Sequence, residues 1–293
     1  MANARKVAIS TGKILLYFVM LGMTVAGAVE LALPALGLHI DRQASQSGVL
    51  LLSAINLLAM AVPAFLMAYL FDCKTPVAMG LTLRNAVPDF LAGGTVGVFI
   101  FVVGLAGAFL GGWAQYDPDF SKVSMPAMAI GALSMTLGAA GEEIMLRGYV
   151  LQELMSKFSM FTSVLVSSVI FAGLHLSALL HSPMALIGAL NIFAASVLLS
   201  LAYLATRSLW LPIGIHMGWN FAQGPLLGIN VSGNDFASGW HPVTLSGPEM
   251  MTGGSFGFEA SLLGLAGPLL GMIMMMLFAT TPEADADVAG NQP

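Results

Sequence analysis

Long apolar runs divided by short polar breaks dominate the chain. Runs of about 20 apolar residues are what a helix needs to span a bilayer. Eight such runs follow one another: Lys13–Leu38, Gly48–Phe71, Phe90–Trp113, Pro126–Met155, Met160–Leu180, Met184–Thr206, Leu209–Ile229 and Ala260–Thr280. None shows the period-2 alternation of a barrel strand. The predicted fold class is therefore all-α: a polytopic integral membrane protein of about eight transmembrane helices around a polar intramembrane cavity. One bundle is expected over 1–282, with a Gly/Ser/Pro-rich external loop at 230–259 long enough to cap one end. The acidic segment 283–293 is expected to be a disordered tail.

Composition agrees. Of 293 residues, 57% are hydrophobic and only 9% charged, against about 25% charged in soluble domains. So few charges cannot cover a water-facing surface, and the bilayer is the expected surroundings. No basic patch is present, which argues against nucleic acid. The 33 glycines suit helices packed closely without a hydrophobic drive between them. Cys73, the single cysteine, has no intramolecular disulfide partner and reads as a structural residue.

Arg5, Lys6 and Lys13 precede the first run, and Ala26-Gly27-Ala28 looks like a signal-peptidase site. The run continues to Leu38, too long for a signal segment, so an uncleaved first span is expected. With the N-terminus inside, Lys74, Arg84, Lys157 and Arg207 join those three on the cytoplasmic side, while only Arg42 and Lys122 fall outside. The positive-inside rule thus predicts that both termini are cytoplasmic. Glu30 falls near the outer interface and is given no role; Trp113, Trp210 and Trp240 read as interface anchors, and Trp219 as a residue that could line the cavity.

Ionisable and amide groups inside the spans carry the candidate chemistry, because burying them in hydrocarbon is costly without a purpose. Glu143 and Arg147 stand four residues apart on one helical face and can pair. Glu142 points about 100° away and has no cation on its own helix. Phe171 lies one turn before His175, and His216 one turn before Asn220. Each pair alone is also what a polar seam between helices would look like. Depth argues for more. Measured from the cytoplasmic ends of their helices, Glu142 lies roughly 20 Å in, His175 roughly 22 Å, Asn220 roughly 16 Å and His216 roughly 10 Å. Three helices thus place polar groups in one overlapping layer.

Glu142-Glu143…Arg147, Phe171…His175 and His216…Asn220, in this order, resemble the three motifs of the CPBP (CAAX protease, or Abi) family of intramembrane proteases, related to the type II CAAX prenyl endopeptidases. The flanks Arg147-Gly148-Tyr149 and Ser208-Leu209-Trp210-Leu211-Pro212 agree, and Gly80–Arg84 resembles a weaker family feature; the matching core is about 126–221. The resemblance implies eight helices, a polar cavity opening toward the cytoplasmic side, and hydrolysis of peptide bonds in membrane-associated proteins or peptides. It also implies a bacterial inner-membrane location. On this reading Glu142 and His175 activate water, His216 and Asn220 stabilise the oxyanion, and Glu143, Arg147 and Phe171 support them. No cofactor is required, although Glu142, His175 and His216 could instead ligate one Zn2+ and leave a position for water. Asn220 suits an oxyanion donor better than a zinc ligand, which favours the metal-free route. Two rival classes stay open: a non-catalytic binding or immunity scaffold, and a proton-coupled transporter, against which the lack of internal repeats counts.

Overall fold

The computed structural model describes residues 2–27, 46–236 and 239–279. Glu30, Arg42, Ala28, the expected end of the first span at Leu38 and the tail 283–293 lie outside the described residues. Eight helical rods follow in chain order: α1 (Ala2–Ala26), α2 (Gln46–Asp72), α3 (Ala86–Leu110), α4 (Met125–Glu143, continued to Met155), α5 (Met160–Leu174), α6 (Ala185–Thr206), α7 (Trp210–Phe221, continued to Leu226) and α8 (Leu262–Ala279). The chain is all-α in class and a polytopic membrane protein. Among the described residues, five stretches are long and apolar enough to cross a membrane: Arg5–Ala26, Gly48–Asp72, Ala86–Leu110, Met125–Met155 and Ala185–Thr206. Met160–Leu174 and Leu262–Phe278 are apolar but shorter.

Local chemistry sets several ends. Ser124 caps α4 by accepting from the Ala127 N–H, with Pro126 in the first turn, where its missing N–H costs nothing. Ser159 caps α5 through the Thr162 N–H. α6 stops at Arg207 in a left-handed conformation (φ 54°). The turn to α7 is then fastened to the loop after α2: the Leu209 N–H donates to Gly80 O, and Trp210 Nε1 donates to Thr82 O.

Three expectations change. The fifth span was expected to run to Leu180, but α5 ends at Leu174 and His175 forms its C-cap, with a separate short turn over Leu176–Leu179. α4 is not α-helical throughout: Ile144–Val150 adopt a wider π-helical turn, as do Ala222–Leu226 after α7. Such bulges occur mostly as single turns, often at functional sites. Finally, the 230–259 loop contributes a small antiparallel sheet, Val243–Leu245 (β2) pairing with Ala114–Tyr116 (β1). Within that cap Trp240 is buried, donates Nε1 to Leu226 O and packs on Phe120. It is a cap residue here, not an exposed anchor.

α7 is the central rod, packed by α3, α4 and α6; α8 lies on α3 and α6, α5 on α6, and α2 joins α1 to α4. The most extensive of these pairings, α3 with α7, is a contact of backbones. A methyl on Gly93 or Gly97 would stand 2.2 Å from Leu211 O or Ile215 O. One on Gly214 or Gly218 would stand 2.3 Å from Phe90 O or Gly94 O. Glycines four apart on both helices thus let the axes approach as membrane helices do through small residues. His216 is two residues from each of Gly214 and Gly218, about 200° around the helix, so the same contact turns His216 away from α3. Large apolar side chains such as Leu15, Met23, Leu91 and Phe99 remain on the outside, as lipid contact requires. At one end of the bundle, Lys13 pairs with Asp72 and, at 3.6 Å, with Glu153, to which Ser10 donates at 2.7 Å, so α1, α2 and α4 share one polar knot.

Gly218→Ala should destabilise the fold by about 1–3 kcal/mol, because its methyl meets backbone that cannot yield. Gly138→Ala, on α4 with nothing within 4 Å, should gain about 0.5–1 kcal/mol from helix propensity. Denaturant midpoints in detergent would compare the two; equal effects would refute the backbone contact.

Candidate active site

The site is built outward from Glu143. Its side chain and that of Arg147 are fully buried. Arg147 Nη1 donates to Glu143 Oε1 at 3.1 Å, and Nη2 donates to Ser196 O (2.8 Å) and Oγ (2.7 Å) on α6. The Arg147 guanidinium also lies 5.1 Å from the centroid of Phe171, a cation–π distance. Glu143 Oε1 accepts a second hydrogen bond, from His216 Nδ1 at 3.0 Å across the α4–α7 interface. Glu143 is therefore more than half of an intrahelical pair: it orients a motif residue on another helix.

These contacts assign both histidine tautomers. A carboxylate paired with arginine is ionised and can only accept, so His216 Nδ1 carries a proton. His216 Nε2 then faces Glu142, whose Oε2 is 3.8 Å away. That separation is too long for a direct hydrogen bond and suits a bridging water. His175 Nδ1 lies 2.9 Å from Phe171 O. A carbonyl also only accepts, so His175 too is protonated at Nδ1 and keeps Nε2 for the cavity. Phe171 stacks edge-on to both imidazoles, with centroids 4.8 Å from His175 and 6.2 Å from His216.

Glu142, Phe171, His175, His216 and Asn220 all line one cavity of about 110 Å3, walled otherwise by Ile100, Leu198, Leu199, Trp219 and neighbouring apolar side chains. An ordered water needs only about 10–15 Å3 measured this way, so several fit. Glu142 Oε2 is buried and has no hydrogen-bond partner among the described residues. The structure thus brings the five motif residues of the cavity together and sets Glu143 and Arg147 directly behind them. His181, beyond the break in α5, is exposed and bonds back to Ser177 O.

Three polar cavity residues were missed from sequence: Asn191 on α6, and Ser232 and Glu259 from the loop. Asn191 is a lone amide in an apolar span and carried a weak signal of its own. Glu259 carried none, since it sits in a loop assigned to the outside. Its Oε1 accepts from the Ser232 N–H (2.5 Å) and Oγ–H (2.6 Å). Burial pushes its carboxyl above the usual carboxylate range, and the Ser232 bonds and the two site histidines oppose that shift. Part of the cavity wall belongs to the loop joining α7 to α8, at the end opposite the α6–α7 turn.

Glu142, His175 and His216 share one cavity without forming a metal-binding group as placed. Among the described residues no three His, Cys, Asp or Glu side chains form a group that could hold a metal ion.

Comparison with known proteins agrees with the motifs. Residues 124–222, about a third of the chain, match the family model described as "Type II CAAX prenyl endopeptidase Rce1-like". This stretch carries all three motifs, and the match is consistent with the CAAX-protease (CPBP) family of membrane proteases. No curated protein and no solved structure matches the chain.

Removing one partner of a buried pair leaves an uncompensated charge, so Arg147→Met should cost about 3–5 kcal/mol. Replacing both, with Glu143→Leu and Arg147→Met together, should cost less than Arg147→Met alone. Chemical unfolding in micelles measures both; additive losses would contradict the buried pairing.

Proposed function

We propose that the protein is an intramembrane endopeptidase that hydrolyses peptide bonds of membrane-associated proteins or peptides, using Glu142 and His175 to activate water and His216 and Asn220 to stabilise the oxyanion. The observation that carries this reading is Glu142. Its buried Oε2 is unpartnered and 3.8 Å from an imidazole whose other nitrogen is fixed by a second carboxylate, in a cavity shared with His175 and Asn220. What distinguishes Glu142 from the buried pair behind it is that it lines the cavity together with both histidines.

Glu142 accepts a proton from a water held between it and His175 Nε2 as the water oxygen attacks the scissile carbonyl carbon. The carbonyl π pair moves to oxygen, and that oxyanion accepts from Asn220 Nδ2–H and from His216 Nε2–H, the latter requiring a proton on each ring nitrogen. Collapse of the tetrahedral intermediate expels the amine, which receives the proton from Glu142 directly or through His175. Apolar walls exclude bulk water, so each donor acts in a low dielectric. Glu143 and Arg147 hold His216 in place, and Phe171 holds both rings. The proposed setting is a bacterial inner membrane with both termini cytoplasmic. The proposed partners are the lipid bilayer and a membrane-associated peptide substrate, with no nucleic acid. Catalysis is written without a metal.

With purified protein in micelles and a quenched-fluorescence library of apolar peptides, Glu142→Gln should lower kcat by about 10²–10⁴-fold. Asn220→Ala should lower it by about 10²–10³-fold. Both should keep the wild-type melting temperature. No cleavage by wild type, together with unfolding of both variants, would favour a scaffold. Proton-driven uptake by vesicles would favour a transporter. Loss of activity to a chelator, restored by Zn2+, would replace the metal-free route.

A further inference from the structure

One wall of the cavity owes nothing to the three motifs. Glu259, 9% exposed, and Ser232 close it from the loop, and Asn191, 2% exposed, closes it from α6. Asn191 Nδ2 has no hydrogen-bond partner and lies beside the loop: a methyl on Gly264 would stand 2.9 Å from it and 2.3 Å from Phe258 O. Ser232 satisfies only Oε1 of Glu259; among the described residues Oε2 accepts nothing. A carboxylate oxygen left without a donor on a residue of the cavity wall is an acceptor that a bound chain can use. The loop itself is firmly seated. Trp219 Nε1 donates to Gln223 Oε1, Gln223 Nε2 to Asn230 O, and Asn230 Nδ2 to Ser255 O. Glu259 is therefore fixed in position, in the cavity that it shares with the histidines and with the apolar side chains of Ile100, Leu198 and Trp219.

We propose that Glu259 is a substrate-binding residue: its Oε2 accepts a hydrogen bond from a backbone N–H of an apolar peptide whose side chains lie against Ile100, Leu198 and Trp219, while the scissile carbonyl faces His216 and Asn220. The proposal rests on the endopeptidase reading and deepens it by naming a group that holds the peptide chain. A donor presented by the substrate completes the coordination of Oε2, so binding is coupled to a loop that carries no motif residue.

Glu259→Gln tests this with little change of shape. The amide keeps an oxygen for Ser232 but turns an NH2 toward the substrate N–H, so acceptor becomes donor. Ser232→Ala is the control, since it loosens the clasp and leaves the acceptor. The probe is an N-acetylated, internally quenched peptide of Leu, Val and Phe residues in detergent micelles. Glu259→Gln should raise KM at least roughly tenfold, the loss expected for one charge-assisted hydrogen bond, with kcat within a few fold of wild type and an unchanged or higher melting temperature. Ser232→Ala should leave KM near wild type. A clasp without a binding role predicts the reverse: a lower melting temperature for both and KM unchanged in Glu259→Gln. That result, or a fall in kcat at constant KM, overturns the proposal. If wild type does not cut the peptide, the endopeptidase reading fails by itself. Trp fluorescence then reads peptide binding: roughly tenfold weaker binding in Glu259→Gln keeps the subsite, and equal binding or none removes it.

Discussion

A single carboxylate oxygen, Glu143 Oε1, joins the buried Arg147 to His216, and the rest of the site depends on it. In an apolar interior neither the guanidinium nor the carboxylate is tolerable alone. Each is made so by the other, and Arg147 is held further by Ser196 on α6 and by the face of Phe171. One hydrogen bond to the same oxygen then fixes the tautomer and tilt of an imidazole on a different helix. The arrangement follows the pattern in which a carboxylate behind a histidine sets which nitrogen faces the chemistry. Adjacent glutamates on one helix thus do unlike things: Glu143 is spent on charge balance and orientation, and Glu142, about 100° around the rod, is left facing the cavity.

Such an oxygen helps only if α4 and α7 meet at the right depth. The glycine contact between α3 and α7 supplies that constraint by locking the far side of α7 against a backbone. The π-helical turn beginning at Ile144 is the matching device on α4. It widens the rod just below the two carboxylates, where Arg147 must reach both its own helix and α6. On the opposite side the break at His175 lets the ring bond to Phe171 O and frees Nε2 for the cavity. Rigid packing around a small wet volume is what keeps polar groups within a few ångströms of one another without collapsing them into direct pairs.

Most of the fold and much of the site were legible in the chain. Hydropathy placed eight rods, because lipid forces every spanning segment to satisfy its backbone internally as helix. Helical spacing paired Glu143 with Arg147, and separated Glu142 from them, for the same reason. Contacts between helices were less accessible. That His216 bonds Glu143 through Nδ1 while its Nε2 faces Glu142 depends on the rotation of α7, which the glycines set and no spacing rule reports. The end of α5 at Leu174 was hidden because Leu176–Leu180 are as apolar as what precedes them, so hydropathy continued where the backbone did not. Glu259 and Ser232 were invisible as site residues, since a polar loop looks like a solvated one until its fold over the cavity is known. The buried place of Trp240 was lost to the same cause.

A double-mutant cycle between Glu143→Gln and His216→Leu, read as unfolding free energy in micelles, goes most directly to the centre of this account. Groups in direct contact should be coupled, and the two changes together should fall short of, or exceed, their separate sum by more than about 1 kcal/mol. Additivity within about 0.5 kcal/mol would mean that the carboxylate and the imidazole do not meet, and the site described around them would not exist.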